Sequence, residues 1–252
     1  MQKPIKYFNK KLAIMGTLHI PEDKENFPGV VLFHGFTSNR VEPHRLFWKI
    51  SKKLEENGVA SIRFDFRGCG ESEGDSTAFT IKDYVSDAKK VIKKLLKLKG
   101  IDQNNIGIIG LSMGSIVASY VACEFPNIKK AALISAIARP DEIFFSKPKK
   151  ENPEFLPQYK NGTVDVKGNQ YSKKFFDIAK RMKPLEKIKD FSGQVLLISS
   201  DSDQYTPIDH MKAYAQTVKS SKQVVINNTN HTFDNAEKEK DVISSIVNFF
   251  KA

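Results

Sequence analysis

Residues 106–117 read IGIIGLSMGSIV, and the reading of this stretch decides the fold. An apolar run ends at Gly110, one polar side chain follows at Ser112, and a second apolar run begins after Gly114. The first run has the length of a short buried strand, and the second, SMGSIVASYVACEF, reads as a helix ended by Pro126. A turn between the two needs glycine but gives no reason for serine. Gly110 and Gly114 stand two residues to either side of Ser112. On a sharp strand-to-helix turn, larger side chains at those positions would collide with the adjoining strand and helix. A bare G-x-S-x-G arises by chance, and a helix N-cap is the ordinary explanation of such a serine. The strand before it and the helix after it favour a nucleophile.

Outward from this turn, strand and helix patterns alternate. VVLFHGF, VASIRFDF, KKAALIS, GQVLLIS and KQVVIN read as strands. HRLFWKISKKLEENG, residues 81 to 98, residues 208 to 218 and residues 237 to 251 read as helices. The first nineteen residues suggest two strands joined at NKK. The alternation predicts an α/β fold, a mostly parallel sheet with helices on both faces. It breaks between residues 136 and 190, where prolines, glycines and aromatics follow no single period. A structureless loop of that length is uncommon inside a compact domain, so an inserted cap is expected there. The expected organisation is a core in two parts, 1–135 and 191–252, with the cap at 136–190.

The chain has 252 residues, 40% of them apolar and 27% charged, which suits one large globular core rather than a disordered chain. The net charge of +11 comes from lysines spread along the sequence. Scattered lysine marks solvated faces, and no nucleic-acid partner is expected. AKKVIKKLLKLKG at residues 88 to 100 repeats apolar residues at helical spacing, a helix with one buried and one wet face. Cys69 and Cys123 lack metal-ligand spacing, and charges interrupt every apolar run of the N-terminus. The expectation is a cytoplasmic protein with no stable membrane insertion and no metal. Self-association as a homodimer stays open.

A serine hydroxyl needs a base. His19, His44 and His210 fall in or beside regular elements and read as packing or surface residues, and His34 as a scaffold for its loop. His231, in the polar loop NTNHTFDN after a strand, can reach across the end of the sheet. An imidazole base needs a carboxylate to fix its tautomer. The loop SDSDQYTPID offers Asp201 and Asp203. Asp203 is preferred because it lies four residues before Pro207, where the chain turns into the next helix, and Asp201 remains the alternative. Either aspartate alone would read as an Asx turn. The chain order Ser, Asp, His, each after a different strand, is that of a nucleophile-elbow hydrolase. The oxyanion donors expected are the amides of Met113, at the helix start, and Phe36, where Gly35 lets the chain turn.

HGFTSNRVEPH, RFDFRGCGESEGD, GLSMGS, SDSDQYTP and NHTF together resemble the α/β-hydrolase superfamily, and more narrowly its small bacterial cinnamoyl (feruloyl) esterases and their acylglycerol-cleaving relatives. The likeness runs from about residue 5 to the C-terminus. It implies Ser112 as nucleophile, His231 as general base and acid, Asp203 as its orienter, and the Phe36 and Met113 amides as oxyanion hole. It further implies a small-molecule ester substrate, no cofactor, Asp65 and Arg67 as a buried pair, and a cap over the acyl or aromatic half of the substrate. Asp141, Tyr159 and Tyr171 are the polar cap residues to test for phenol recognition. Ser115 stands where many relatives have a second glycine. A monoacylglycerol lipase, a thioesterase or a peptidase would use the same triad. A dehalogenase of this fold would carry Asp at position 112, and RGCGESEG lacks the glycine spacing of a dinucleotide site. A catalytically silent ligand-binding protein would have no reason to keep all three triad residues.

Overall fold

A computed structural model describes residues 1–22, 25–145 and 160–251. In chain order the strands of the main sheet are β1 (Gln2–Asn9), β2 (Leu12–His19), β3 (Phe27–Phe33), β4 (Ala60–Phe64), β5 (Ile101–Leu111), β6 (Ile128–Ile134), β9 (Gln194–Ser200) and β10 (Ser221–Ile226). Between β6 and β9 lies a separate hairpin of β7 (Thr163–Val166) and β8 (Asn169–Ser172). The main sheet runs β1-β2-β4-β3-β5-β6-β9-β10. β1 and β2 pair antiparallel, as does β2 with β4, and every later pairing is parallel. The fold is therefore α/β with a mostly parallel sheet, and the carboxyl ends of β3, β5, β6, β9 and β10 share one edge.

The strands are apolar on both faces because both are covered. Val31, Phe33, Ile108, Leu133 and Leu197 face the cluster under α2 (Ile81–Leu95) and α3 (Met113–Ala122). Their neighbours Val30, Leu32, Ile109, Ile134 and Ile198 face α1 (Leu46–Glu56) and α8 (Ala236–Lys251). The lysine-rich stretch forms the end of α2 as far as Leu95, short of the expected residue 98, with Ala88, Val91, Ile92 and Leu95 fully buried. The remaining helices are α4 (Pro140–Phe145), α5 (Lys173–Ala179), α6 (Pro184–Ile188) and α7 (Asp209–Thr217).

Some sequence boundaries move. β5 begins at Ile101 rather than near Asn105, with a register irregularity between Ile106 and Gly107 against β6. α3 stops at Ala122, short of Pro126, because the chain already leaves the helix through Cys123. Asp65 and Arg67 are both buried but do not pair. Asp65 accepts from the backbone amides of Arg40 (2.6 Å) and Glu71 (3.0 Å) and pairs with the Arg40 guanidinium, while Arg67 is held by Asp87 on α2 at 2.5 Å. The chain turns after β4, so two-residue spacing there does not put side chains on one face.

Candidate active site

Ser112 sits between β5 and α3 with φ 52° and ψ −117°, outside the regions that suit a side chain. Such a conformation costs on the order of 1–3 kcal/mol and persists only where its surroundings impose it. They do so here through glycine. A Cβ at Gly110 would come within 2.4 Å of the Gly114 carbonyl oxygen, and one at Gly114 within 2.0 Å of the Phe33 carbonyl oxygen. The Ser112 amide donates to Ile134 (2.9 Å) and its carbonyl accepts from the Ser115 hydroxyl (2.6 Å). That hydroxyl also accepts from the Ile137 amide at 2.9 Å, so Ser115 ties the turn to the segment that follows β6.

Asp203 and His231 come together from the loops after β9 and β10. The His231 Nδ1 lies 2.7 Å from Asp203 Oδ2, and the Thr206 hydroxyl lies 3.0 Å from the same nitrogen. A carboxylate accepts, so Nδ1 carries the proton and Nε2 keeps its lone pair. Asp203 Oδ1 accepts from the amides of Tyr205 (2.8 Å) and Thr206 (2.9 Å). Burial alone would raise the Asp203 carboxyl. The bond to His231, its charge and the two amides outweigh burial and hold it below the ordinary aspartate value. Asp201 is exposed and instead accepts from the Ser202 hydroxyl and the Asn228 amide. Ser135, itself at φ 45°, donates to the His231 carbonyl at 2.9 Å and fixes the histidine loop against the end of β6.

The loop after β3 approaches the serine from the other side, where a Cβ at Gly35 would lie 3.6 Å from Ser112 Cβ. Within this loop the positive φ falls at Thr37, at 60°, and not at Gly35. The Phe66 amide donates to His34 Nε2 at 3.1 Å, which leaves the proton on Nδ1 to donate to the Gly35 carbonyl at 2.9 Å. Burial lowers the His34 pKa and keeps the ring neutral. That bond fixes the peptide plane whose N–H belongs to Phe36, and the first amide of α3, that of Met113, has no acceptor within its helix. The Phe36 ring is anchored in an aromatic cluster with Tyr171 (4.5 Å), Phe175 (5.3 Å) and Phe144 (5.7 Å).

Ser112, His231, Phe36 and Glu42 line one cavity of about 830 Å³. From the other side it is lined by Glu142, Ile143, Phe144, Val166 and Lys167, on α4 and the β7–β8 hairpin. Two of the polar positions expected to meet substrate, Asp141 and Tyr171, do not line the cavity. Asp141 is exposed and lies outside the lining, which passes through its neighbour Glu142 because consecutive helical residues point apart. Tyr171 is buried, hydrogen-bonds the backbone of Thr37 and packs on Phe36 instead of lining the cavity. Tyr159 lies outside the described residues.

The other histidines do more than the sequence suggests. His19 is buried between Glu55 (3.0 Å) and Arg63 (3.3 Å), and His44 pairs with Glu239 at 2.6 Å. His210, read as a packing or surface residue, lines the cavity. Its Nδ1 accepts from the Ala138 amide at 3.0 Å, so its Nε2 proton faces Glu142 at 3.5 Å. Only the chain path after Ser135 brings His210 there, and no local spacing marks it.

An α/β sheet whose loops carry serine, histidine and acid at one edge defines the class. The family profile described as alpha/beta hydrolase fold matches residues 28–177, and the chain belongs to that family. A profile of PhoPQ-activated pathogenicity-related proteins matches residues 152–252. The chain is similar to the esterase EstD of Thermotoga maritima, 28% identical over 52% of this chain and 32% of that protein. It is also similar to the thiohydrolase aneE of Aspergillus aculeatus, 31% identical over 44% of this chain and 34% of that one. These matches span only about a third of the length of those relatives. Among solved structures, Est1E of Butyrivibrio proteoclasticus with bound ferulic acid superposes with a TM-score of 0.85, at 21% identity over 97% of each chain. Among the described residues no helix is long and apolar enough to cross a membrane.

Proposed function

We propose that this protein is a serine carboxylic ester hydrolase working through an acyl-enzyme. The observation that carries the reading is the 2.7 Å bond between His231 Nδ1 and Asp203 Oδ2, beside a cavity that Ser112 and His231 both line. His231 Nε2 takes the Ser112 proton as Oγ attacks the ester carbonyl. The Phe36 and Met113 amides stabilise the oxyanion. The imidazolium, held by Asp203, returns the proton to the leaving alcohol, and water activated by the same imidazole then cleaves the acyl-enzyme. No cofactor enters these steps. The segment at 136–190 acts as a cap over the substrate.

Small carboxylic esters of the cinnamoyl or feruloyl type are the proposed substrates. Support comes from the fold of Est1E, described with ferulic acid bound, and from the apolar side of the cavity at Ile143, Phe144 and Val166. The relative described as a thiohydrolase favours a second reading, thioester hydrolysis by the same triad. Ser112→Ala should abolish hydrolysis of p-nitrophenyl acetate, a loss of more than about 10³-fold, with an unchanged circular dichroism spectrum. Retained turnover refutes the assignment. Comparing kcat/KM for methyl ferulate, a monoacylglycerol and an acyl-CoA decides between the ester and thioester readings.

A further inference from the structure

Glu42 lies in the loop after β3, and no step of the proposed chemistry uses it. Its side chain is buried, it lines the cavity, and its backbone sits at φ 62°, a conformation that favours glycine. Both carboxyl oxygens are engaged. Oε1 accepts from the Gly35 amide at 2.5 Å, and Oε2 accepts from the Ser38 hydroxyl at 2.7 Å. A Cβ at Gly35 would stand 3.4 Å from Glu42 Oε1 and 3.6 Å from Ser112 Cβ, so the carboxyl and the Ser112 side chain both lie against Gly35.

The two peptide planes that flank Gly35 are thus held by two different side chains. His34 holds the carbonyl of the plane that carries the Phe36 amide, and Glu42 holds the amide of the preceding plane. Release of either would let the Phe36 N–H swing away from the place where an oxyanion forms. Resting on the serine-hydrolase reading above, we infer that Glu42 is a positioning residue. Its carboxylate fixes the His34–Gly35 peptide and thereby aims the Phe36 amide at the oxyanion.

The ionisation falls in a useful range. Burial raises the Glu42 carboxyl to about 7, against the lowering by the Gly35 amide, the Ser38 hydroxyl and the charge of His231. His231 is the titratable group that acts on Glu42 from outside its own loop. As pH falls through 7, Glu42 takes up a proton and becomes a weaker acceptor for the Gly35 amide. The hold on the loop loosens as the carboxylate is neutralised. Wild-type kcat should then approach that of a permanently neutral side chain at position 42 as pH falls through about 7.

The test compares wild type, Glu42→Gln and Glu42→Ala on p-nitrophenyl acetate from about pH 5 to about pH 9, with thermal unfolding of each. Glutamine keeps an acceptor for the Gly35 amide and cannot ionise. Glu42→Ala should lower kcat by about 10- to 10²-fold with KM within about twofold, since the loss falls on the oxyanion and not on substrate binding. Glu42→Gln, a permanently neutral acceptor, should hold kcat about fivefold below wild type at about pH 9, and the ratio of the two should approach one at about pH 5. Should Glu42→Ala fail to fold, the pH dependence of the wild-type to Glu42→Gln ratio decides alone. A ratio that does not change with pH, or a folded Glu42→Ala with wild-type kcat, overturns the inference while wild type still turns over and is labelled at Ser112 by a fluorophosphonate. Loss of that labelling in wild type overturns the serine reading and this inference with it.

Discussion

The turn at residues 106–117 and the segment at 136–190 meet across the same cavity, yet they hold it by different means. At the turn the backbone decides. Gly114 packs against the Phe33 carbonyl so closely that an added Cβ would stand 2.0 Å from its oxygen, and Ser112 is held at φ 52° by bonds to Ile134 and Ser115. On the cap side the described residues are held by ring packing among Phe36, Phe144, Tyr171, Phe175 and Phe176, and by the His210 bond to the Ala138 amide. Ring contacts tolerate exchange of one apolar shape for another far better than a backbone contact tolerates a new atom. The lesson is a division of labour. The Ser112 side of the cavity is specified by main-chain geometry, and the opposite side by replaceable side chains.

Substitutions can break or sharpen that contrast. With Ser112 in place, the largest effect on rate is expected from Asp203→Asn, which leaves the shape and removes the carboxylate that sets the His231 tautomer. Its kcat should fall by about 10³- to 10⁴-fold with KM little changed, measured by steady-state kinetics. Gly114→Ala comes next and acts through the backbone. It should destabilise the fold by roughly 3 kcal/mol or more, read as a lowered denaturant midpoint, because the new atom meets backbone that cannot withdraw. The smallest effect belongs to the cap. Lys167, near the tip of the β7–β8 hairpin, lies 5.7 Å from the centre of the Tyr205 ring and lines the cavity. Lys167→Ala should leave stability within about 0.5 kcal/mol and change KM by about two- to fivefold, in a direction that depends on the ester. A cap substitution that lowered kcat as much as Asp203→Asn would erase the contrast.

Much of the core was legible because its signals are periodic. The apolar runs of β3, β5, β6 and β9 are buried on both faces, and the lysines of α2 alternate with Val91, Ile92 and Leu95 at helical spacing. Ser112, Asp203 and His231 were legible because each follows a different strand in a fixed chain order, and a parallel sheet gathers strand ends at one edge. What the sequence hid lies in loops, which carry no period. Asp65 turns to Arg40 and Arg67 to Asp87, so neighbours in the chain part company. Glu42 and His210 reach the cavity only after the loops close over it. Asp141 misses the lining by one helical position, and only the three-dimensional path shows that Glu142 takes its place.

The central claim is that Ser112 is an activated nucleophile, and covalent capture tests it most directly. Wild type and Ser112→Ala are treated with a fluorophosphonate, digested, and the peptides weighed by mass spectrometry. The account predicts one adduct on wild type, carried by the peptide that contains residues 106–117 and located at Ser112, with none on the variant. An unlabelled wild type, or an adduct that survives in Ser112→Ala at another residue, would contradict it.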